Sequence, residues 1–235
     1  MVKLTIDGIQ VEAEKGTSIL HAAESVGIEV PTLCYIKDLL PDGSCRMCMV
    51  EIESRGRTKM ETACTAQVSE GLVVTTNSEK VRNARRNILD MLLSNHKTDC
   101  FSCPSNGDCK LQELCFEYGI ERTTYSGEQT ELPIDDSNKF FTYNPNLCIL
   151  CHRCVNTCHK VVGRGAIDTM ERGFDSAIGT PFHIDWADTN CESCGNCVQA
   201  CPTGALTMKR RKNYRKYQID KKVLTTCPHC ATGCQ

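Results

Sequence analysis

Cys148, Cys151, Cys154 and Cys158 are spaced C-x2-C-x2-C-x3-C, and Cys191, Cys194, Cys197 and Cys201 repeat the same gaps. Thiols packed this densely must form disulfides or bind metal. The chain carries 19 cysteines in 235 residues, with 6% aromatics and a single tryptophan, Trp186. So few large side chains make a small core, and metal coordination supplies folding energy to modules of this kind. Disulfides belong to secreted proteins. The N-terminus, MVKLTIDGIQVEAEKG, lacks the basic and apolar regions of a signal peptide. Arg85-Arg86 is a twin arginine by letter only, mid-chain in a helical stretch. No run approaches the roughly 18 apolar residues of a membrane span. The expectation is a soluble, cytoplasmic protein with thiolate-bound metal and no membrane contact. The net charge of −2 does not discriminate among partners.

The pattern along the chain predicts an α+β protein in several small units. Residues 1–78 read as a β-rich domain. Two short runs flank the turn signal Asp7-Gly8, and Thr17 or Ser18 caps a helix through Ile19, Leu20, Ala22, Ala23 and Val26 that ends near Gly27. Val50 and Ile52, then Leu72, Val73 and Val74, supply further strands, in a β-grasp-like order. Residues 79–120 read helical, with Val81, Ala84, Ile88, Met91 and Leu92 recurring at three- and four-residue steps. Residues 121–137 form a connector, 138–208 hold the cysteine repeat, and 209–235 form a basic linker with a cysteine-rich end.

The repeat is the bacterial ferredoxin run, in which three cysteines hold one [4Fe–4S] cube and the fourth reaches the other cube. This assigns Cys148, Cys151, Cys154 and Cys201 to one cluster and Cys158, Cys191, Cys194 and Cys197 to a second. A pair of zinc sites is the weaker alternative, because zinc takes two pairs of ligands around a tetrahedral ion. His159 follows the first run where Pro202 follows the second, and a long insert before Cys191 is expected to cover the clusters or meet a partner. Cys34, Cys45, Cys48 and Cys64 keep the plant-type [2Fe–2S] order of one cysteine, a close pair and a distant one, with a longer first gap. Zinc with one close pair and two remote ligands is the alternative there. His96, Cys100, Cys103 and Cys109, in HKTDCFSCPSNGDC, form a one-histidine, three-cysteine set for a third [4Fe–4S] cluster. Neutral imidazole in place of thiolate raises a cluster potential, as in Rieske centres. Cys115 competes as fourth ligand there, and is read as a buried free thiol.

This order of sites resembles the N-terminal module of the large iron–sulfur subunit of respiratory complex I. It is similar also to modules in the diaphorase part of NAD-reducing nickel–iron hydrogenases, in iron-only hydrogenases, and in NAD-linked or electron-bifurcating formate dehydrogenases. The resemblance covers residues 1–208. The tail TTCPHCATGCQ resembles the start of the molybdopterin domain of formate dehydrogenase alpha subunits, and so does the linker RRKNYRKYQIDKKVL before it. That resemblance makes Cys227, Cys230 and Cys234 three ligands of a fourth [4Fe–4S] cluster. The molybdopterin domain and the fourth tail ligand are absent from the chain. The expectation is that another polypeptide supplies the body and the ligand, or that the tail thiols hold no cluster.

No GxGxxG or P-loop is visible, and no Ser-His-Asp or paired-carboxylate site is evident. The chain is expected to move single electrons and to carry no catalytic residues and no flavin, nucleotide or molybdopterin site. Its expected partners in a hetero-oligomeric complex are flavin- and NAD(P)-binding iron–sulfur subunits and a catalytic formate dehydrogenase subunit with molybdenum or tungsten. The diaphorase subunit of an NAD(P)-reducing or bifurcating hydrogenase is the alternative. A third reading uses the basic run 209–222, with Tyr214 and Tyr217 interleaved, to bind nucleic acid. A solvated linker or an interface with an acidic partner is preferred to it.

Overall fold

A computed structural model describes residues 1–54, 56–210, 218–221 and 223–226. The tail cysteines Cys227, Cys230 and Cys234, and the tyrosines Tyr214 and Tyr217, lie outside the described residues.

Strands β1 (Val2–Ile6) and β2 (Ile9–Ala13) form the hairpin that Asp7-Gly8 signals. Both turn residues have positive φ, the geometry that matches the twist of a tight hairpin. The Asp7 carboxylate also accepts the Thr76 backbone N–H at 2.7 Å, tying this turn to the far end of the domain. Helix α1 (Ile19–Ser25) starts at Ser18, whose hydroxyl accepts the His21 N–H. Strands β3 (Met49–Ser54), β4 (Arg57–Thr62) and β5 (Val73–Thr75) complete a five-stranded mixed sheet in the order β2-β1-β5-β3-β4. Among the described residues of this sheet, β1 and β5 pair in parallel and the other pairs are antiparallel. Leu4, Ile6, Val11, Val50, Ile52 and Val74 pack with Ile19, Leu20, Ala22 and Ala23 of α1 in one buried core. Strand β4 is not predicted by the sequence pattern. Its sequence, RTKMET, is polar and mostly exposed, and the antiparallel ladder to β3 holds it at the sheet edge.

The expected helical unit over 79–120 is two helices, α2 (Glu79–Ser94) and α3 (Lys110–Glu117), with an irregular loop between them. The Ser78 hydroxyl caps α2 by accepting the Val81 N–H. The inward stripe of α2 also differs from the expected one. Val81, Arg85, Leu89 and Leu93 are buried, whereas Met91 is exposed. A reading of apolar letters alone skips Arg85 and so rotates the stripe.

The connector has no helix or strand, apart from an isolated bridge at Asp135. It is held by side chains: Asp90 of α2 accepts the Thr124 N–H, and the Asn146 amide brackets Leu132. Beyond it, β6 (Phe141–Tyr143) pairs antiparallel with β9 (Leu206–Met208), closing the last segment end to end. Between them lie α4 (Arg153–Asn156), a π-helical turn (Thr157–Val162), the hairpin β7 (Asp168–Met170) with β8 (Ala177–Gly179), and α5 (Asn196–Ala200). The insert between the cysteine runs delivers Trp186 to this core, edge-to-face with Phe141 and Tyr143 at 5.4 and 5.1 Å. The Tyr143 hydroxyl donates to the Ile178 carbonyl of β8, which fixes the insert against β6.

A middle core draws on all three sequence segments. Leu33, Cys34, Cys45 and Met47 pack with Leu89, Leu93, Leu111, Leu114 and Cys115, and with Ile149 and Cys151. Asp42, in the long gap between Cys34 and Cys45, accepts a hydrogen bond from Asn156 and faces Lys160 at 3.6 Å. The extra length of that gap therefore reaches the cysteine-repeat segment. No helix among the described residues is long and apolar enough to cross a membrane.

Candidate metal centres

None of the sixteen described cysteines is in a disulfide. Their sulfurs gather in sets. Cys34, Cys45, Cys48 and Cys64 are all buried, on the loops that lead out of α1 and flank β3 and β4. The Cys48 and Cys64 sulfurs lie 3.3 Å apart. A hydrogen bond shared with Cys45 is the main force holding Cys34 as a thiolate, at about 5, and Cys45 is pushed up in return. Cys48 and Cys64 form the same kind of pair, and Cys64 feels the charges of the other three. Arg46, between the close pair, has φ 59°, so the turn folds back on itself and brings Cys45 and Cys48 to one side.

The second set occupies the loop between α2 and α3. Cys100, Cys103 and Cys109 interact electrostatically, and burial raises Cys109 while the N–H groups of Leu111 and Gln112 at the start of α3 lower it. The Gln112 side chain accepts the Gly107 N–H and donates to Asn106, so the residues of NGDCxLQ stitch their own loop around Cys109. His96 is buried at 7% exposure with no partner on its Nδ1. Desolvation lowers it to about 4, so the imidazole is neutral near pH 7. Cys115 of α3 is buried, raised to about 12 by desolvation, and close enough to Cys109 and Cys100 to feel them.

In the repeat, the two runs share a backbone design. Leu150 and Ser193, the third residue of each run, both have positive φ, and both donate their N–H to the first cysteine sulfur, at 3.4 and 3.3 Å. His152 and Gly195, the fifth residues, also have positive φ and begin α4 and α5. The sulfur neighbours cross between runs. Cys151 and Cys154 feel Cys148 and Cys201, Cys154 also feels Cys197 more weakly, and Cys197 feels Cys191, Cys194 and Cys158. Cys158, Cys191, Cys194 and Cys197 line a cavity walled by Phe141, Ile167 and Trp186. His159, the departure from the expected proline, stays outside the sulfur set. Its Nε2 lies 2.9 Å from the Ile167 carbonyl, fastening the π-helical turn to the residue that precedes β7.

The second set abuts the repeat. The Lys110 N–H donates to the Pro202 carbonyl at 2.9 Å, and a Cβ on Gly204 would lie 2.7 Å from the Cys103 sulfur. Glycine is thus needed at 204 for close approach. Nothing in the sequence marks this contact, nor the Asp42 contacts described above.

These surroundings fit iron–sulfur clusters. Burial is the leading cause that raises Cys148 to about 11 and Cys151 and Cys197 to about 12. Gathered, buried thiols of this kind ionise only with strong positive charge among them, which a bound metal supplies. Among the described residues, no three His, Cys, Asp or Glu side chains close to the distances of a single bound ion.

The sequence profile of a 2Fe-2S iron–sulfur cluster binding domain matches residues 1–79, and that of the NADH-ubiquinone oxidoreductase-G iron–sulfur binding region matches 85–124. The ferredoxin-like domain of NADH-quinone oxidoreductase subunit 3 matches 140–207, and a 4Fe-4S dicluster domain matches 190–235. An NADH-quinone oxidoreductase subunit of Rhizobium meliloti (strain 1021) is 42% identical over 238 residues, covering 100% of this chain and 27% of that protein. The NADPH-Fe(3+) oxidoreductase subunit alpha of Geobacter sulfurreducens (strain DL-1 / KN400) is 42% identical over 235 residues, again 100% and 27%. The chain thus spans about a quarter of the length of these curated relatives. A chain in the crystal structure of an NAD+-reducing [NiFe]-hydrogenase in the H2-reduced state superposes with a TM-score of 0.81 at 30% identity, over 89% of this chain and 88% of that one.

Proposed function

We propose that this chain, which belongs to the family of iron–sulfur modules shared by NADH-quinone oxidoreductase and NAD+-reducing [NiFe]-hydrogenase, carries single electrons between a flavin- and NAD(P)-linked partner and a catalytic partner. The observation that carries this reading is the gathering of sulfurs close enough to feel one another's charge into separate sets, with neighbours from both runs of the repeat. Clusters in such sites supply one-electron redox chemistry. The protein supplies thiolate and imidazole ligands, N–H donors to sulfur, and burial.

In this reading Cys34, Cys45, Cys48 and Cys64 hold a [2Fe–2S] cluster in a β-grasp domain over 1–78. His96, Cys100, Cys103 and Cys109 hold a [4Fe–4S] cluster in the unit over 79–120. In the double-cluster domain over 138–208, Cys148, Cys151, Cys154 and Cys201 hold one [4Fe–4S] cluster and Cys158, Cys191, Cys194 and Cys197 another. The chain works in a cytoplasmic hetero-oligomeric complex. The motif of Cys227, Cys230 and Cys234 supports a formate dehydrogenase complex with molybdenum or tungsten, and the tail as a contact near its pterin. A second reading, the diaphorase of a hydrogenase, is favoured by the likeness to the [NiFe]-hydrogenase chain.

Elemental analysis of the native complex purified through this chain separates the two. Molybdenum or tungsten beside iron is the expected result. Nickel without either selects the nickel–iron hydrogenase diaphorase, and iron alone contradicts both of these and leaves an iron-only hydrogenase or transhydrogenase assembly.

A further inference from the structure

Arg85 is 3% exposed on the inward stripe of α2, between Val81 and Leu89. Its guanidinium donates to the Tyr118 hydroxyl at 3.0 Å and to the Met49 carbonyl at 2.8 Å, while its Nε is buried without a partner. Neither acceptor carries a charge, and among the described residues no carboxylate lies within ion-pair distance of it. Glu51 on β3 is engaged by Ser78 and Lys80 instead. Arginine does not shed its proton to escape this setting. A buried cation without an anion is strongly destabilising, so buried charges are paired or neutralised.

The Met49 carbonyl puts Arg85 beside the segment that carries Cys45 and Cys48. Met49 follows Cys48 directly, and Cys34 and Cys45 pack in the same core as Leu89, one turn beyond Arg85. We propose that Arg85 is the buried counter-charge of the [2Fe–2S] cluster and holds its potential up. This rests on the reading that Cys34, Cys45, Cys48 and Cys64 are its ligands. Four thiolates and two sulfides outweigh two ferric ions, so the oxidised site is an anion. Reduction adds one electron from the donor, breaks no bond and makes the site more negative. A fixed cation across a poorly screening interior stabilises the reduced form more than the oxidised one. Arg85 is therefore a positioning residue of electrostatic kind, touching the ligand strand and not the iron.

The test is an EPR-monitored redox titration, with dithionite and mediator dyes, of the full chain purified anaerobically with its clusters. Arg85→Gln removes the charge and keeps a donor for Met49. It is expected to lower the one-electron reduction constant of the [2Fe–2S] cluster about tenfold, which is about 59 mV for a one-electron couple. Arg85→Lys keeps the charge, and Tyr118→Phe removes one hydrogen bond but no charge, so both are expected to hold the wild-type midpoint. A purely structural tether predicts that these two shift as well, which decides the matter even where Arg85→Gln does not fold. An unchanged midpoint in Arg85→Gln, with the [2Fe–2S] signal intact, overturns the proposal. A wild-type chain with no [2Fe–2S] signal overturns the ligand reading itself, and this proposal with it.

Discussion

Cys201→Ala is expected to remove the [4Fe–4S] cluster served by Cys148, Cys151 and Cys154, and to spare the one served by the rest of its own run. Cys201 ends the second run, yet the thiols that feel it are Cys148, Cys151 and Cys154. Cys158 ends the first run and is felt by Cys197. Losing a ligand from a site where desolvation disfavours ionisation of the other three thiols leaves them without the charge that keeps them ionised, so the whole cluster goes. The expected loss is about four iron atoms per chain. Pairs of substitutions then read out connectivity, because residues that share a site do not add. Cys148→Ala combined with Cys201→Ala is expected to lose no more iron than either alone. Cys191→Ala combined with Cys201→Ala is expected to lose about eight. Ligation in chain order reverses these two results. Serine versions of the same set guard against packing defects, and quantitative EPR with iron analysis gives the counts.

His96→Cys is expected to keep its cluster and lower that cluster's midpoint potential. His96 is buried and neutral, and its Nδ1 has no partner. A thiolate in the same place adds one negative charge to a poorly solvated site and so disfavours the reduced form, by tens of millivolts or more. A redox titration that returns the wild-type set of midpoints counts against ligation by His96. Cys115 sits close enough to Cys109 and Cys100 to be the competing ligand. Cys115→Ala in the wild-type background is therefore expected to leave the cluster in place.

Local chemistry was legible in the sequence where it set a turn or a cap. Asp7-Gly8 marked the first hairpin, Ser18 the start of α1, and Val50, Ile52 and Val74 the inner strands. Spacing also set which thiols are expected to share a site, including the crossing within the repeat. What escaped was tertiary. RTKMET pairs as β4 through its backbone alone, a signal with no side-chain pattern. Arg85 sat in plain view at the i+4 position between Val81 and Leu89, but a count of apolar residues passes over a charge whose burial depends on another segment. Gly204 is needed only because Cys103 arrives from a different unit, and Asp42 matters only because Asn156 and Lys160 do. Such residues are specified by contacts between segments, which spacing within one segment does not encode.

In the proposed reading this one chain holds a [2Fe–2S] cluster and three [4Fe–4S] clusters. Iron and acid-labile sulfide, measured per chain after anaerobic purification, test it most directly. About 14 of each are expected, rising to about 18 where the tail cysteines complete a further cube. A count near two iron atoms, with the sulfide to match, would leave only the [2Fe–2S] site and overturn the reading of this chain as a multi-cluster electron carrier.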